Sequence, residues 1–329
     1  MSIFKLLHIS ILGIILLSIL GISFSVGSIS VGNGPSYGVY SNGRIFIIAQ
    51  QANELQEIRD NKIVNTVKLP IYPHSVPFRL ASLGNYLFIA YQKGPVIELN
   101  DKSGKIITAF HIPRIGKYPA IISAHNFIIV SASYGDKLYF IFNNSVKNVS
   151  VMNGPQALAY DNFTNVVYVG GYKSNLIYRI SFSSMKIVDN FSINDTTVDA
   201  MTFIPPNELA VATYEQQLEI INLSNNKIVS VTTFENGING YSSLIYDPYD
   251  SYLFLSLPHH DNQVAIINKE GKIVSQVTVG NSPNGLVYDP LNHEIYVMNY
   301  ASSSVSYFAS PIPSIVSHKY HSSNFLQDL

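Results

Sequence analysis

Tyrosine recurs at a regular interval along this sequence, at Tyr91, Tyr134, Tyr172, Tyr214 and Tyr300. His259 stands at the same place in the one interval that lacks a tyrosine, and Gln50–Gln51 at the place before the series begins. A phenol presents a flat apolar face and a hydroxyl that both donates and accepts, a combination suited to stacking on a sugar or a peptide. The same rings could instead fill space between neighbouring structural units, and spacing alone allows both readings. His259-His260-Asp261 is the densest run of metal-ligating side chains. Adjacent residues on an extended chain point to opposite faces, so at most one histidine converges with Asp261. His259 and Asp261 are the metal candidates, and no bound metal is expected from them.

Other catalytic signals fail on context. Gly34 to Gly38 reads GPSYG and matches G-x-S-x-G in form, but that nucleophile requires a strand-to-helix turn. The segment recurs as GNSPNG, which makes Ser36 a turn residue. No H-E-x-x-H, D-x-D-x-D-G, P-loop or dinucleotide-binding pattern occurs. Cysteine is absent, which excludes disulfides, thiolate-ligated metal centres and thiol catalysis. No catalytic residue and no cofactor follow from the motifs.

The elements that position the tyrosines are visible as self-similarity, the signal to seek before any local reading. Residues 276–288 read QVTVGNSPNGLVY, residues 28–40 SISVGNGPSYGVY and residues 149–160 VSVMNGPQALAY. An apolar run opens at Arg44, Asn85, Asn126, Val166, Glu208, Tyr252 and Glu294, which makes seven units spaced 40 to 44 residues apart. A lysine returns later in the first six, at Lys62, Lys105, Lys147, Lys186, Lys227 and Lys272. Each unit reads as four short β-rich runs, in the sixth SLIYD, YLFLSL, QVAIIN and KIVSQVTV, separated by breaking segments such as Asp-Pro-Tyr-Asp. Four strands at this period predict an all-β fold, a seven-bladed β-propeller of four-stranded antiparallel blades over residues 28–310. The lysines would open the outermost strands, where charge discourages pairing with other chains. The last unit lacks the Lys-Ile-Val strand and the first has one strand too many, SISVG. Ser28–Gly32 is therefore expected to close the ring as the outer strand of the seventh blade, with Ser314–Tyr320 as the competing segment.

Residues 279–308 read VGNSPNGLVYDPLNHEIYVMNYASSSVSYF. This stretch resembles the YVTN-type propeller repeat through Gly280, Pro283, Gly285, Pro290, Tyr296, Val297, Asn299 and Ser304 to Ser306; units near Val31, Val151 and Gly240 match it in part. The resemblance implies a seven-bladed propeller of a kind found in archaeal and bacterial surface-layer-like and other extracytoplasmic proteins.

Location can be read from charge. After Lys5 no Asp, Glu, Lys or Arg occurs before Arg44, and Leu6 to Val26 is almost wholly apolar. One positive charge before such a run fits a signal peptide or a single membrane anchor over residues 1–27. Either places the propeller outside the cytoplasm, secreted or tethered at the cell surface. Residues 311–329 read as a tail. Charged residues make up 12% of the 329-residue chain and the net charge is −1, so no nucleic-acid partner is expected. A mean hydropathy of +0.18 excludes a disordered chain. Sequons occur at Asn143, Asn148, Asn162, Asn190, Asn194 and Asn222; Asn143 and Asn162 fall in turns and are the glycosylation candidates. The expected function is non-catalytic binding or scaffolding with a glycan, peptide or cell-surface protein. The alternative is a propeller enzyme, lactonase-like or quinoprotein-like, with a metal or redox cofactor at the channel mouth. That alternative requires several of Glu54, His74, Asp136, Glu215, His259 and Asp261 to converge.

Overall fold

A strand packed between two sheets must be apolar on both faces, so its sequence shows a continuous hydrophobic run in place of alternation. RIFIIA, YLFIAYQ and VVYVGG are such runs, and each is the second strand of its blade. The structure is a computed structural model describing residues 24–235, 238, 241–259 and 262–310. Among these residues the chain forms 28 strands and no helix, and the strands assemble into seven four-stranded sheets. All pairings are antiparallel, and six sheets follow chain order from the channel outward. The innermost strands are Pro35–Ser41, Val76–Leu83, Ile121–Ala124, Pro155–Asp161, Val198–Ile204, Leu244–Asp247 and Pro283–Asp289. Each contacts the next around the ring, and the last contacts the first.

The core is divided among the gaps between blades. Seven buried clusters exist among the described residues, and each joins two adjacent blades. Alternation along the second strands distributes the side chains. Phe46 and Ile48 pack toward blade 2, while Ile45 and Ile47 pack toward blade 7. Burying each such side chain contributes about 1.5–3 kcal/mol. The outermost strands lack this double burial: Lys227–Thr233 alternates between exposed and partly buried, and Ser145–Ser150 is almost wholly exposed.

Closure uses the amino-terminal strand. Gly27–Ser30 pairs antiparallel with Ser304–Ala309, in the register Ser28 to Ser306 and Ile29 to Val305. The strand starts one residue earlier than the expected Ser28, and Phe24 already packs edge-on against Phe308. Most of the hydrophobic segment 1–27, together with tail residues 311–329 and the competing Ser314–Tyr320, lies outside the described residues. Among the described residues no helix is long and apolar enough to cross a membrane.

Two local devices shape many of the blades. The Tyr-Asp pairs ending three innermost strands cap the turns that follow: Asp161 accepts from the Phe163 and Thr164 amides, Asp247 from Tyr249, and Asp289 from Leu291. Such Asx turns explain why Asp recurs there. At the opposite end the innermost strand bulges in five blades, between Pro35 and Gly38, Pro77 and Arg79, Pro155 and Ala157, Val198 and Ala200, and Pro283 and Leu286. A bulge re-aims its side chain, here Ser36, Tyr37, Phe78, Gln156, Asp199 or Asn284. Several of these stitch neighbouring blades: Ser36 Oγ donates to the Phe78 carbonyl and Gln156 Nε2 to that of Val198.

Candidate binding face and channel

One end of the propeller carries two sets of loops, those from second to third strand and those from each outermost strand to the next blade. A repeated hydrogen bond joins them. The amides of Tyr134, Tyr172, Tyr214 and Tyr300 donate to the carbonyls of Arg114, Gly154, Thr197 and Ser282 at 2.8–3.1 Å. Four of the five tyrosines thus stand on one face in blades 3, 4, 5 and 7. Tyr134, Tyr172 and Tyr214 are 44%, 53% and 56% exposed. Tyr300 is partly buried, and its hydroxyl accepts from Gln51 Nε2 at 3.0 Å. Lys173 Nζ lies 5.2 Å from the Tyr172 ring. His259 is exposed on the same face, and Asp261 falls outside the described residues.

Tyr91 departs from the expected aromatic mouth. It pairs with Pro77, the position held elsewhere by Gly171, Thr213 and Asn299, whereas Tyr172, Tyr214 and Tyr300 come one residue later. One residue reverses side-chain direction in a strand. Tyr91 is accordingly fully buried: its hydroxyl donates to the Pro70 carbonyl at 3.0 Å, and its ring meets Tyr72 edge-on at 5.1 Å. Burial pushes its phenol pKa up. Tyr91→Ala should therefore destabilise the fold by about 3–5 kcal/mol, and Tyr91→Phe by about 1 kcal/mol for the lost hydrogen bond. Denaturant unfolding of the pair checks this; an Ala variant as stable as wild type would return Tyr91 to the surface.

Beneath the face, the channel mouth holds residues that the repeat alone did not single out. Tyr37 contacts Phe78 edge-on at 5.2 Å, Phe78 reaches Tyr118 at 6.4 Å, and Tyr118 meets Tyr241 at 5.8 Å. Tyr37 donates from its hydroxyl to the Tyr241 carbonyl and accepts from Arg79 Nη2 at 3.0 Å, with the guanidinium carbon 4.3 Å from the Tyr37 ring centre. Burial pushes the Tyr241 phenol up to about 12, helped by its hydrogen bond with Tyr118. Asp199 is buried on the bulge of blade 5, and burial raises its carboxyl to about 8 against the opposing pull of Arg79 and the Ser242 amide. Arg79 and Asp199 interrupt otherwise apolar innermost strands, VPFRLASL and VDAMTFI. That interruption was the sequence signal available for them.

The remaining candidates are dispersed. Asn143 and Asn162 are exposed in turns at the opposite end of the propeller. Glu54 pairs with Lys68, and Glu215 accepts from Thr196. Among the described residues, no three His, Asp or Glu side chains gather in a group able to hold a metal ion.

No protein-family model matches the chain, and no curated protein matches it. Solved structures do match. A chain from a crystal structure of the mitotic checkpoint complex superposes with TM-score 0.74 at 12% identity, covering 88% of this chain and 94% of that one. Virginiamycin B lyase from Staphylococcus aureus gives TM-score 0.74 at 15% identity, covering 88% and 100%. Kuenenia stuttgartiensis hydrazine synthase gives 0.73 at 15% identity, covering 85% and 96%. At these identities the likeness establishes the propeller fold, and the diversity of the three is what one architecture hosting unrelated sites produces.

Proposed function

We propose that this chain is a non-catalytic, extracytoplasmic binding protein of the YVTN-repeat propeller kind, whose ligand is a glycan or peptide lying across the tyrosine face. The observation that carries the reading is the exposure of Tyr134, Tyr172 and Tyr214 on one loop set of three consecutive blades. Large aromatics in water at repeated positions cost the fold burial they could have had, and they supply rigid stacking surface at little entropic expense. The Lys173 ammonium beside Tyr172 adds a hydrogen-bond donor to that surface. The apolar segment after Lys5 supports export. A fold neighbour found in a multiprotein complex supports the use of a propeller face for docking.

The test is a glycan and peptide array followed by titration of the best hit. Replacing Tyr172 and Tyr214 together by Ala should weaken binding about tenfold or more, since an exposed aromatic contact is worth about 1 kcal/mol. Stability should stay within about 1 kcal/mol of wild type, because neither ring fills core volume. Loss of stability without loss of binding would reject the reading.

A further inference from the structure

Arg79 lies on the innermost strand of blade 2, at the wall of the channel. The channel below the mouth holds a cavity of about 220 Å³ bounded by all seven innermost strands. Most of the side chains around it are apolar, with Leu80, Ile121, Leu158, Met201 and Leu244 among them, while polar groups make up nearly half of its surface, and Arg79 is the charged residue that lines it. Across the innermost strands the only other acidic or basic side chains are Asp199 and the three aspartates that end strands.

The guanidinium has no counter-charge in contact. The ion pairs among the described residues are Arg44–Asp101, Arg59–Glu57, Lys68–Glu54 and Arg179–Asp189, and none involves Arg79. Asp199 is its nearest acidic influence, yet the two do not come within ion-pairing distance. Nη2 is spent on Tyr37, and Nε is sealed without an acceptor. Nη1 makes no hydrogen bond and is not among the sealed atoms, which leaves it as the open donor. Asp199 Oδ2 is likewise buried without a partner. Donors left unmade inside a protein are costly, and the half-buried Arg79 has no carboxylate within ion-pairing distance. An anion in the cavity would accept from the open Nη1 and balance the guanidinium charge.

The walls specify the rest of the ligand. A multiply charged or heavily hydrated anion such as phosphate would find one cation and an apolar lining, whereas a planar carboxylate fits the guanidinium and an alkyl chain fits the lining. We propose that the channel binds a small apolar monocarboxylate, its carboxylate on the Arg79 guanidinium and its hydrocarbon tail among the innermost strands. This site is independent of the tyrosine face. With Asp199 raised to about 8, its carboxyl is protonated at pH 6 and does not compete with the ligand for Arg79.

The probe is sodium hexanoate, titrated calorimetrically into the propeller at pH 6 against equal sodium chloride. Saturable one-site binding is expected. Hexanamide, of the same shape without the charge, should bind at least tenfold more weakly to the wild-type protein, a comparison that needs no variant. Arg79→Met should lose at least tenfold in hexanoate affinity, Met201→Trp should block the cavity, and the Tyr172→Ala, Tyr214→Ala double variant should bind hexanoate as wild type does. No saturable binding to wild type, equal binding of hexanamide, or full affinity in Arg79→Met would overturn the proposal. Loss of array ligand without loss of hexanoate, or the reverse, separates this site from the tyrosine face.

Discussion

A chain lacking residues 28–34 is expected to lose about 5 kcal/mol or more of folding stability, a large share of the 5–15 kcal/mol typical of a native domain. The deleted segment supplies most of the outer strand of blade 7. Its Ile29 is buried in the cluster between blades 7 and 1, worth about 1.5–3 kcal/mol. Its backbone pairs with Ser304–Ser306, the Val31 amide donates to the Ser303 carbonyl, and the Gly32 amide donates to Gln56 Oε1 at 2.9 Å. Each such bond contributes about 1 kcal/mol net. Removal also leaves Ser304–Ala309 as a bare edge, open to pairing with other chains. Thermal unfolding with light scattering should show a lower midpoint and aggregation. An unchanged midpoint would mean that the ring does not depend on this strand.

The second large effect is electrostatic. Asp199 has a folded-state pKa of about 8 against the usual 3.8, because burial opposes its ionisation more than Arg79 and the Ser242 amide favour it. A pKa raised on folding means that the native state holds the proton more tightly. The associated stability is fully present below about pH 4, declines above it, and is lost as pH rises through 8. At about 1.4 kcal/mol per unit, the loss across that window is on the order of 6 kcal/mol. Tyr37, Arg79 and Ser242 are the groups acting on this carboxyl or acted on by it. Glu98, Glu219 and Asp250 are also raised by burial, so wild type should weaken with pH for several reasons. Asp199→Asn isolates one of them. The variant should match wild type within about 1 kcal/mol near pH 4 and exceed it by several kcal/mol at pH 9. Parallel stability curves for the two proteins would show that Asp199 ionises normally.

The architecture was legible because a propeller writes each blade as a separate copy of the same rule. RIFIIA and its counterparts announce strands buried on both faces, and the unit lacking a fourth strand announces the closure at Gly27–Ser30. Individual side chains were less legible. Tyr91 sits one register place from Tyr172, and a spacing of some forty residues varies by more than one between blades, so alignment by eye cannot settle which way a ring points. Arg79 and Asp199 are separated by 120 positions along the numbering, and only ring closure brings both strands to one channel. Tyr118 and Tyr241 belong to loops between blades, where the repeat is weakest and no periodicity marks them.

Hydrogen exchange on the ligand-bound protein reports where the ligand sits on the propeller. With the best array ligand bound, protection should rise in residues 132–136, 172–175 and 214–216, the loops that carry Tyr134, Tyr172 and Tyr214. Residues 162–165, 205–207 and 248–251 are turns at the opposite end, and their exchange should not change. Protection confined to that opposite end, or spread along the exposed outermost strands, would mean that the tyrosine face is not where the ligand binds.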